Sequence, residues 1–193
     1  MGALDERLQV EKRERGWSSS ISLTYGEITL ASLSCLLALH TRLSDHSIFA
    51  DLGSGIGRGL IAALHCHSFQ RCIGVELLHS LHEQALLVQA AYERSSGVDV
   101  ADKLQLICGD FLECKEWHCA DVVYVNSTCF DRHLMADLSV ACELLPLGAT
   151  VITQTHRLSS DMFTCSSVGS YEMSWGSADI FVHCKVQPSR TIT

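Results

Sequence analysis

Apolar residues follow two rhythms along this chain. Five short runs, at 48–52, 72–76, 104–108, 122–126 and 150–154, are apolar almost throughout, as strands covered on both faces are. Between them, apolar positions recur at helical spacing over about 58–67, 77–95 and 131–144. Ahead of the first run, residues 4–15 are polar and helix-compatible, Gly16-Trp17-Ser18-Ser19-Ser20 breaks the pattern, and 28–43 reads as helix again. Strand alternating with helix predicts a parallel sheet with right-handed crossovers. Near the end, 171–175, a turn at Gly176-Ser177 and 180–186 predict a terminal antiparallel hairpin. No repeat or linker divides the chain, so the pattern predicts one α/β domain.

The first strand and its turn carry the chemistry. Phe49-Ala50-Asp51-Leu52-Gly53-Ser54-Gly55-Ile56-Gly57-Arg58-Gly59 is a short apolar run ending in an acid, with glycines at alternate positions and a helical pattern after them. Glycine lets a tight turn bring bare backbone against a ligand. In a doubly wound sheet that turn lies in the crevice beyond the carboxyl ends of the strands. The next run, Cys72-Ile73-Gly74-Val75, ends in Glu76, where a second strand would present an acid to a ribose. Together these predict a nucleoside-cofactor site. A dinucleotide turn, G-x-G-x-x-G, would need a third glycine at position 58, which is Arg58. The spacing G-x-G-x-G at Gly53, Gly55 and Gly57 favours S-adenosylmethionine instead.

Composition narrows the setting. At 193 residues, with 47% hydrophobic and 19% charged, the chain can bury a sizeable core. No apolar run approaches the roughly 20 residues of a membrane helix. Asp5, Glu6 and Arg7 stand where a signal peptide would be apolar, so an intracellular protein of nucleus or cytoplasm is expected. Several of the ten cysteines (Cys35, Cys72, Cys108, Cys142, Cys184) lie inside apolar runs, as free thiols packed like small hydrophobes do. His65, Cys66, His67 and Cys72 match no standard zinc spacing, and no metal site is expected. A formal charge of −8 argues against strong direct nucleic-acid binding. The one locally cationic run, Glu11-Lys12-Arg13-Glu14-Arg15, is nearly balanced by its own acids.

The turn, with Asp51 before it, resembles motif I of class I S-adenosylmethionine-dependent methyltransferases. That resemblance implies a Rossmann-like, doubly wound, mostly parallel seven-stranded sheet with a C-terminal antiparallel hairpin. It implies that Gly53, Ser54, Gly55 and Gly57 pack on the cofactor and that Asp51 orients the loop or reaches its amino group. Glu76 would accept from both ribose hydroxyls. In Gly109-Asp110-Phe111, after the third strand, Asp110 would accept from the adenine amino group and Phe111 would pack on the ring. Plain structural roles compete: Glu76 as a helix-start acid, Asp110 as a helix cap, Phe111 as core.

Two further segments, Thr24-Tyr25-Gly26-Glu27 and Val123-Tyr124-Val125-Asn126-Ser127-Thr128-Cys129-Phe130, make the chain resemble the non-SET histone lysine methyltransferases, the disruptor-of-telomeric-silencing ("Dot-one") class. The resemblance spans roughly 25–154. It implies that Tyr25, Gly26, Glu27 and Ile28 close over the methionine end of S-adenosylmethionine, with Glu27 facing the ammonium. Asn126 would stand beside the transferring methyl, and Phe130 and Tyr124, with Trp17, would wall an apolar lysine channel. It also implies a protein substrate of the histone kind and S-adenosylhomocysteine as product; because the chain is acidic, either a partner such as an accessory subunit or a missing region supplies docking, or the substrate is not a nucleosome. On this reading 1–24 is an N-terminal helical segment with the closing loop, and 25–193 is the methyltransferase domain. The chain departs from the family at Ile28 (a threonine there), at Ser127-Thr128-Cys129 (a more apolar loop) and at Asp131-Arg132 (Gly-Pro). Two other functions fit the residues: methyl transfer to a small molecule or another nucleophile, and a non-catalytic S-adenosylmethionine-binding subunit.

Overall fold

A computed structural model describes residues 2–16 and 27–186. Five strands run parallel: β1 (Ile48–Leu52), β2 (Arg71–Glu76), β3 (Leu104–Cys108), β4 (Val122–Val125) and β5 (Thr150–Gln154). Two more, β6 (Phe163–Met173) and β7 (Gly176–Lys185), form a hairpin whose second strand pairs antiparallel with β5. The sheet order is β3-β2-β1-β4-β5-β7-β6. The chain therefore winds outward from β1 in one direction, then returns to β4 on its other side. This reversal between β1 and β4 opens the crevice at their carboxyl ends.

The pleat divides the core in two. Phe49, Cys72, Val122, Tyr124 and Ile152 face α2 (Leu30–His40) and α3 (Arg58–Cys66), packing on Leu33, Leu36, Leu37 and Leu60. Their neighbours Ala50, Ile73, Val75, Val123 and Val151 face α5 (Arg132–Cys142), packing on Met135, Leu138 and Trp117. Both faces are covered, which is why these strands read as unbroken apolar runs. Two further helices, α1 (Gly2–Glu14) and α4 (His79–Ser96), pack on each other through Leu8, Leu78 and Leu81.

Several predicted elements shift. The helix expected over 28–43 spans only Leu30–His40, because Thr29 takes extended backbone and its hydroxyl accepts from the Ser32 amide at 3.2 Å as an N-cap. Ile28, freed from the helix, forms an antiparallel bridge with Met173. The hairpin turn is Ser174-Trp175, not Gly176-Ser177, since Met173 pairs with Gly176. β6 begins at Phe163, well before the expected 171. This edge strand is exposed on both faces for most of its length, and a register shift between Ser167 and Gly169 breaks its alternation, so no period-2 signal exists to be read. Cys72 and Cys142 are buried as expected, but Cys108 and Cys184 are exposed. Cys108 ends the edge strand β3, which is paired on one side only, with β2. All ten thiols are free, and the described residues contain no metal-ligating cluster.

Candidate functional site

The glycine-rich turn folds back onto β2. Gly53, Gly55 and Gly57 all have left-handed backbone, with φ of 80°, 56° and 79°. The Gly53 and Ser54 amides donate to the Val75 carbonyl at 2.8 and 3.1 Å. The Gly55 amide donates to Glu76 Oε2, and the Leu78 amide to Glu76 Oε1, both at 2.8 Å. Glu76 is thus buried and held between two backbone donors. Each carboxylate oxygen keeps a further lone pair for a hydroxyl. Burial raises its pKa, and the Leu78 and Gly55 amides oppose that rise.

Asp51 is buried near the end of β1. Burial, followed by the charges of Glu76 and Glu27, pushes its pKa up to about 8. Gly59, which the motif reading passed over, makes room for this carboxyl: a Cβ there would lie 2.6 Å from Asp51 Oδ2. Gly74 makes room for Leu60 and Ser54, with a Cβ running into Leu60 Cδ1 and falling 2.8 Å from Ser54 Oγ.

A small cavity opens at this point. Asp51, Gly53, Ser54 and Gly59 form one wall, Tyr124 and Asn126 a second, and Glu27 with Ile28 a third. Seven of the residues predicted from sequence therefore converge on one space. Glu27 is positioned by the hairpin tip: its amide donates to Ser174 Oγ at 3.0 Å, and its carbonyl accepts from the Ser174 amide at 2.8 Å. It is not an acid in the first turn of α2. Its carboxylate accepts from Arg58 Nη1 at 3.1 Å, with Glu27 18% and Arg58 67% exposed. The side chain that excluded a dinucleotide turn therefore pairs with Glu27 from the start of α3. Trp175 stands half-exposed at the same hairpin tip.

The polar loop after β4 is internally satisfied. Ser127 Oγ donates to the Gln154 carbonyl at 2.6 Å, and Thr128 Oγ1 donates to Gln154 Oε1 at 3.2 Å. Gln154 Nε2 donates to the Tyr124 hydroxyl and lies 3.3 Å from Met173 Sδ. Gln154, fully buried at the end of β5, is a residue that sequence reasoning missed; its partners come from separate segments, so no local pattern announces it. Burial first, then Asp51, drives the Tyr124 pKa far above the usual phenol range, so this side chain stays neutral. Asp131 caps α5 by accepting from the Leu134 amide at 2.9 Å. The cap does here what proline at the first helical position does by its fixed φ.

The third predicted group lies beyond β3. Asp110 Oδ1 accepts from the Leu112 amide at 2.8 Å, a local turn that occupies one of its two oxygens. Phe111 stacks on Phe130, with ring centroids 6.0 Å apart and planes 13° from parallel. Phe130 thus joins the Asp110–Phe111 group. Tyr25, Gly26 and Trp17 lie outside the described residues.

Sheet order, glycine-rich turn and the acid ending β2 define the class I methyltransferase fold. The chain is similar to the O-methyltransferase from Bacillus cereus in complex with S-adenosylhomocysteine: TM-score 0.61, 14% identity, 94% of this chain and 90% of that one covered. It is similar also to the O-methyltransferase TomG of Streptomyces achromogenes, with TM-score 0.58, 15% identity and 96% and 90% covered. Within that fold, the model of the family described as histone methylation protein DOT1 matches residues 9–173, and the chain belongs to that family. Relatives include the H3 lysine-79 specific histone-lysine N-methyltransferases of Emericella nidulans, 27% identical over 154 residues, and of Cryptococcus neoformans, 33% identical over 140. These matches cover 71% and 67% of this chain but only 30% and 21% of those proteins.

Proposed function

We propose that this chain is the catalytic domain of an S-adenosylmethionine-dependent protein-lysine N-methyltransferase, with a histone lysine as acceptor. The observation that carries this reading is the convergence of Glu27, Asp51 and Asn126 on one cavity at the β1–β4 crevice, beside an oriented Glu76. Family membership supports it, as do the names of the relatives. Those names also favour action on chromatin in the nucleus.

The residues fit the cofactor. Asp51 is a buried carboxyl among other acids, a place that a cation relieves and an anion would worsen. Glu76 has two amides to fix its plane and lone pairs left for a pair of hydroxyls. Asp110 Oδ2 suits an exocyclic amine, since an ionised carboxylate only accepts. When bound, S-adenosylmethionine supplies an electrophilic methyl on a positively charged sulfur. The chain's part is alignment and exclusion of water: in-line displacement needs an uncharged amine held on the axis of the breaking bond. Asn126, directly after β4, can hold that amine by its side-chain amide. The neutral Tyr124, which lines the same cavity as Asn126, favours the deprotonated lysine, because desolvation disfavours the ammonium.

A transfer assay tests this. The protein is incubated with S-adenosylmethionine labelled in the methyl group and with nucleosomes, free histones or a cell extract, and the acceptor is mapped by mass spectrometry. Label on a histone lysine is expected. Asn126→Ala should lower kcat at least about tenfold with little change in cofactor affinity. Label confined to small molecules would favour the second enzyme reading. Binding without transfer would favour a non-catalytic subunit.

A further inference from the structure

α4 begins without a cap of its own. Leu78 holds the N-cap position in extended backbone and offers no side-chain acceptor. The acceptors come from α1, 68 residues away in sequence. Glu11 Oε1 accepts from the His79 amide at 2.8 Å, and Glu11 Oε2 accepts from the Ser80 amide at 2.9 Å and the Ser80 hydroxyl at 2.6 Å. The Glu11 side chain is only 13% exposed. Burial alone would raise its pKa, but the hydrogen bonds from Ser80 and His79 bring it below the ordinary value. A carboxylate is the right occupant, because the first turn of a helix presents unpaired donors and partial positive charge.

What this turn adjoins gives the cap its significance. Leu78 supplies one of the two amides that grip Glu76, and Gly55 supplies the other. One turn before Glu11 on α1, Leu8 packs with Leu78 and Leu81 and against Ile56. Ile56 follows Gly55 directly in the glycine-rich turn. α1 therefore touches both sides of the seat in which Glu76 is held: polar contact through Glu11, apolar contact through Leu8. Two ion pairs among the described residues here, Arg7–Glu83 and Arg15–Glu11, each have at least one partner 43% or more exposed. Such pairs contribute little.

We propose that Glu11 is a positioning residue for the ribose end of the cofactor site. By capping α4 from α1, it fixes the Leu78 amide and so the orientation of the Glu76 carboxylate. Cofactor affinity in this chain thereby depends on α1. The proposal rests on the reading of the crevice as an S-adenosylmethionine site.

The test is a double-mutant cycle read by calorimetric titration with S-adenosylhomocysteine. It uses the full chain at a temperature where circular dichroism shows every variant folded. Glu11→Ala is expected to weaken binding about tenfold, in line with the loss of a helix cap. In a Glu76→Gln background the same change is expected to cost less than about twofold, because Glu11 acts through Glu76. An equal loss in both backgrounds would mean a general structural role and would overturn the proposal, as would unchanged affinity for Glu11→Ala. Should Glu11→Ala not fold, Glu11→Gln, which keeps one oxygen acceptor, replaces it in the cycle with a smaller expected loss and the same comparison. If the wild-type chain does not bind at all, the reading of the crevice fails and the proposal with it.

Discussion

Near the end of β1 a carboxyl group sits out of water beside two other acids. Asp51 is protonated up to about pH 8 because burial and its neighbours Glu76 and Glu27 oppose its charge. A cationic ligand must reverse this, so binding of S-adenosylmethionine should release a proton below pH 8. The free protein holds a proton that the complex does not, so affinity should rise with pH, by up to about tenfold per unit, and level off above about 8. Titration calorimetry in buffers of different ionisation enthalpy reads the released proton directly. Flat affinity from pH 6 to 8 with no proton release would show that Asp51 does not hold the ammonium. Gly59→Ala should also weaken binding about tenfold or more while leaving the fold intact, since its Cβ would meet Asp51 Oδ2 at 2.6 Å and displace the carboxyl. Asp51 and Glu76 are both legible in the sequence, because a carboxylate closing a buried apolar run is costly unless a donor or a cation faces it. The Arg58–Glu27 pair and the Gln154 network are not legible, since each joins segments far apart in the chain.

Among the elements, those covered on both faces declare themselves and those at the margin do not. β1, β3 and β5 have the bounds expected from their apolar runs, whereas β6, an exposed edge strand with a bulge, carries no period to read. The starts of α2 and α5 are set by single side chains, Thr29 and Asp131. Asp131→Ala should remove the cap of α5 and lower stability by about 1 kcal/mol in urea unfolding, with Asp131→Ser largely restoring it. The C-terminal hairpin carries its own acid sensitivity. His183 is fully buried on β7, and burial followed by Arg157 lowers its pKa to about 4. The unfolded chain takes up a proton near pH 6.5 that the folded one refuses. Stability from this group is therefore complete above about 6.5 and is lost as pH falls toward 4. Between about pH 6.5 and 5 the loss should be about 2 kcal/mol, and His183→Gln should flatten that dependence. An equally steep loss in the variant would place the acid sensitivity elsewhere.

For the molecule as a whole, the alternation of strand and helix with an acid ending β2 is enough to read the fold class from sequence. The acceptor is harder to read, because the residues lining the crevice around Asn126, among them Glu27, Asp51 and Tyr124, come from separate segments of the chain. The chain carries a formal charge of −8 and spans 30% of the length of its Emericella relative. On the proposed reading of a nucleosomal acceptor, a domain of that charge calls for a partner or a further segment to hold the DNA. Everything proposed about the acceptor depends first on the crevice holding S-adenosylmethionine. The most direct measurement is equilibrium binding of S-adenosylmethionine to the wild-type chain and to Glu76→Ala by titration calorimetry. One site per chain is expected, with affinity reduced about 10- to 100-fold in Glu76→Ala, the cost of losing hydrogen bonds to a charged, oriented acceptor. Equal affinity in the two proteins, or none in the wild type, would contradict the assignment of the β1–β4 crevice as the cofactor site.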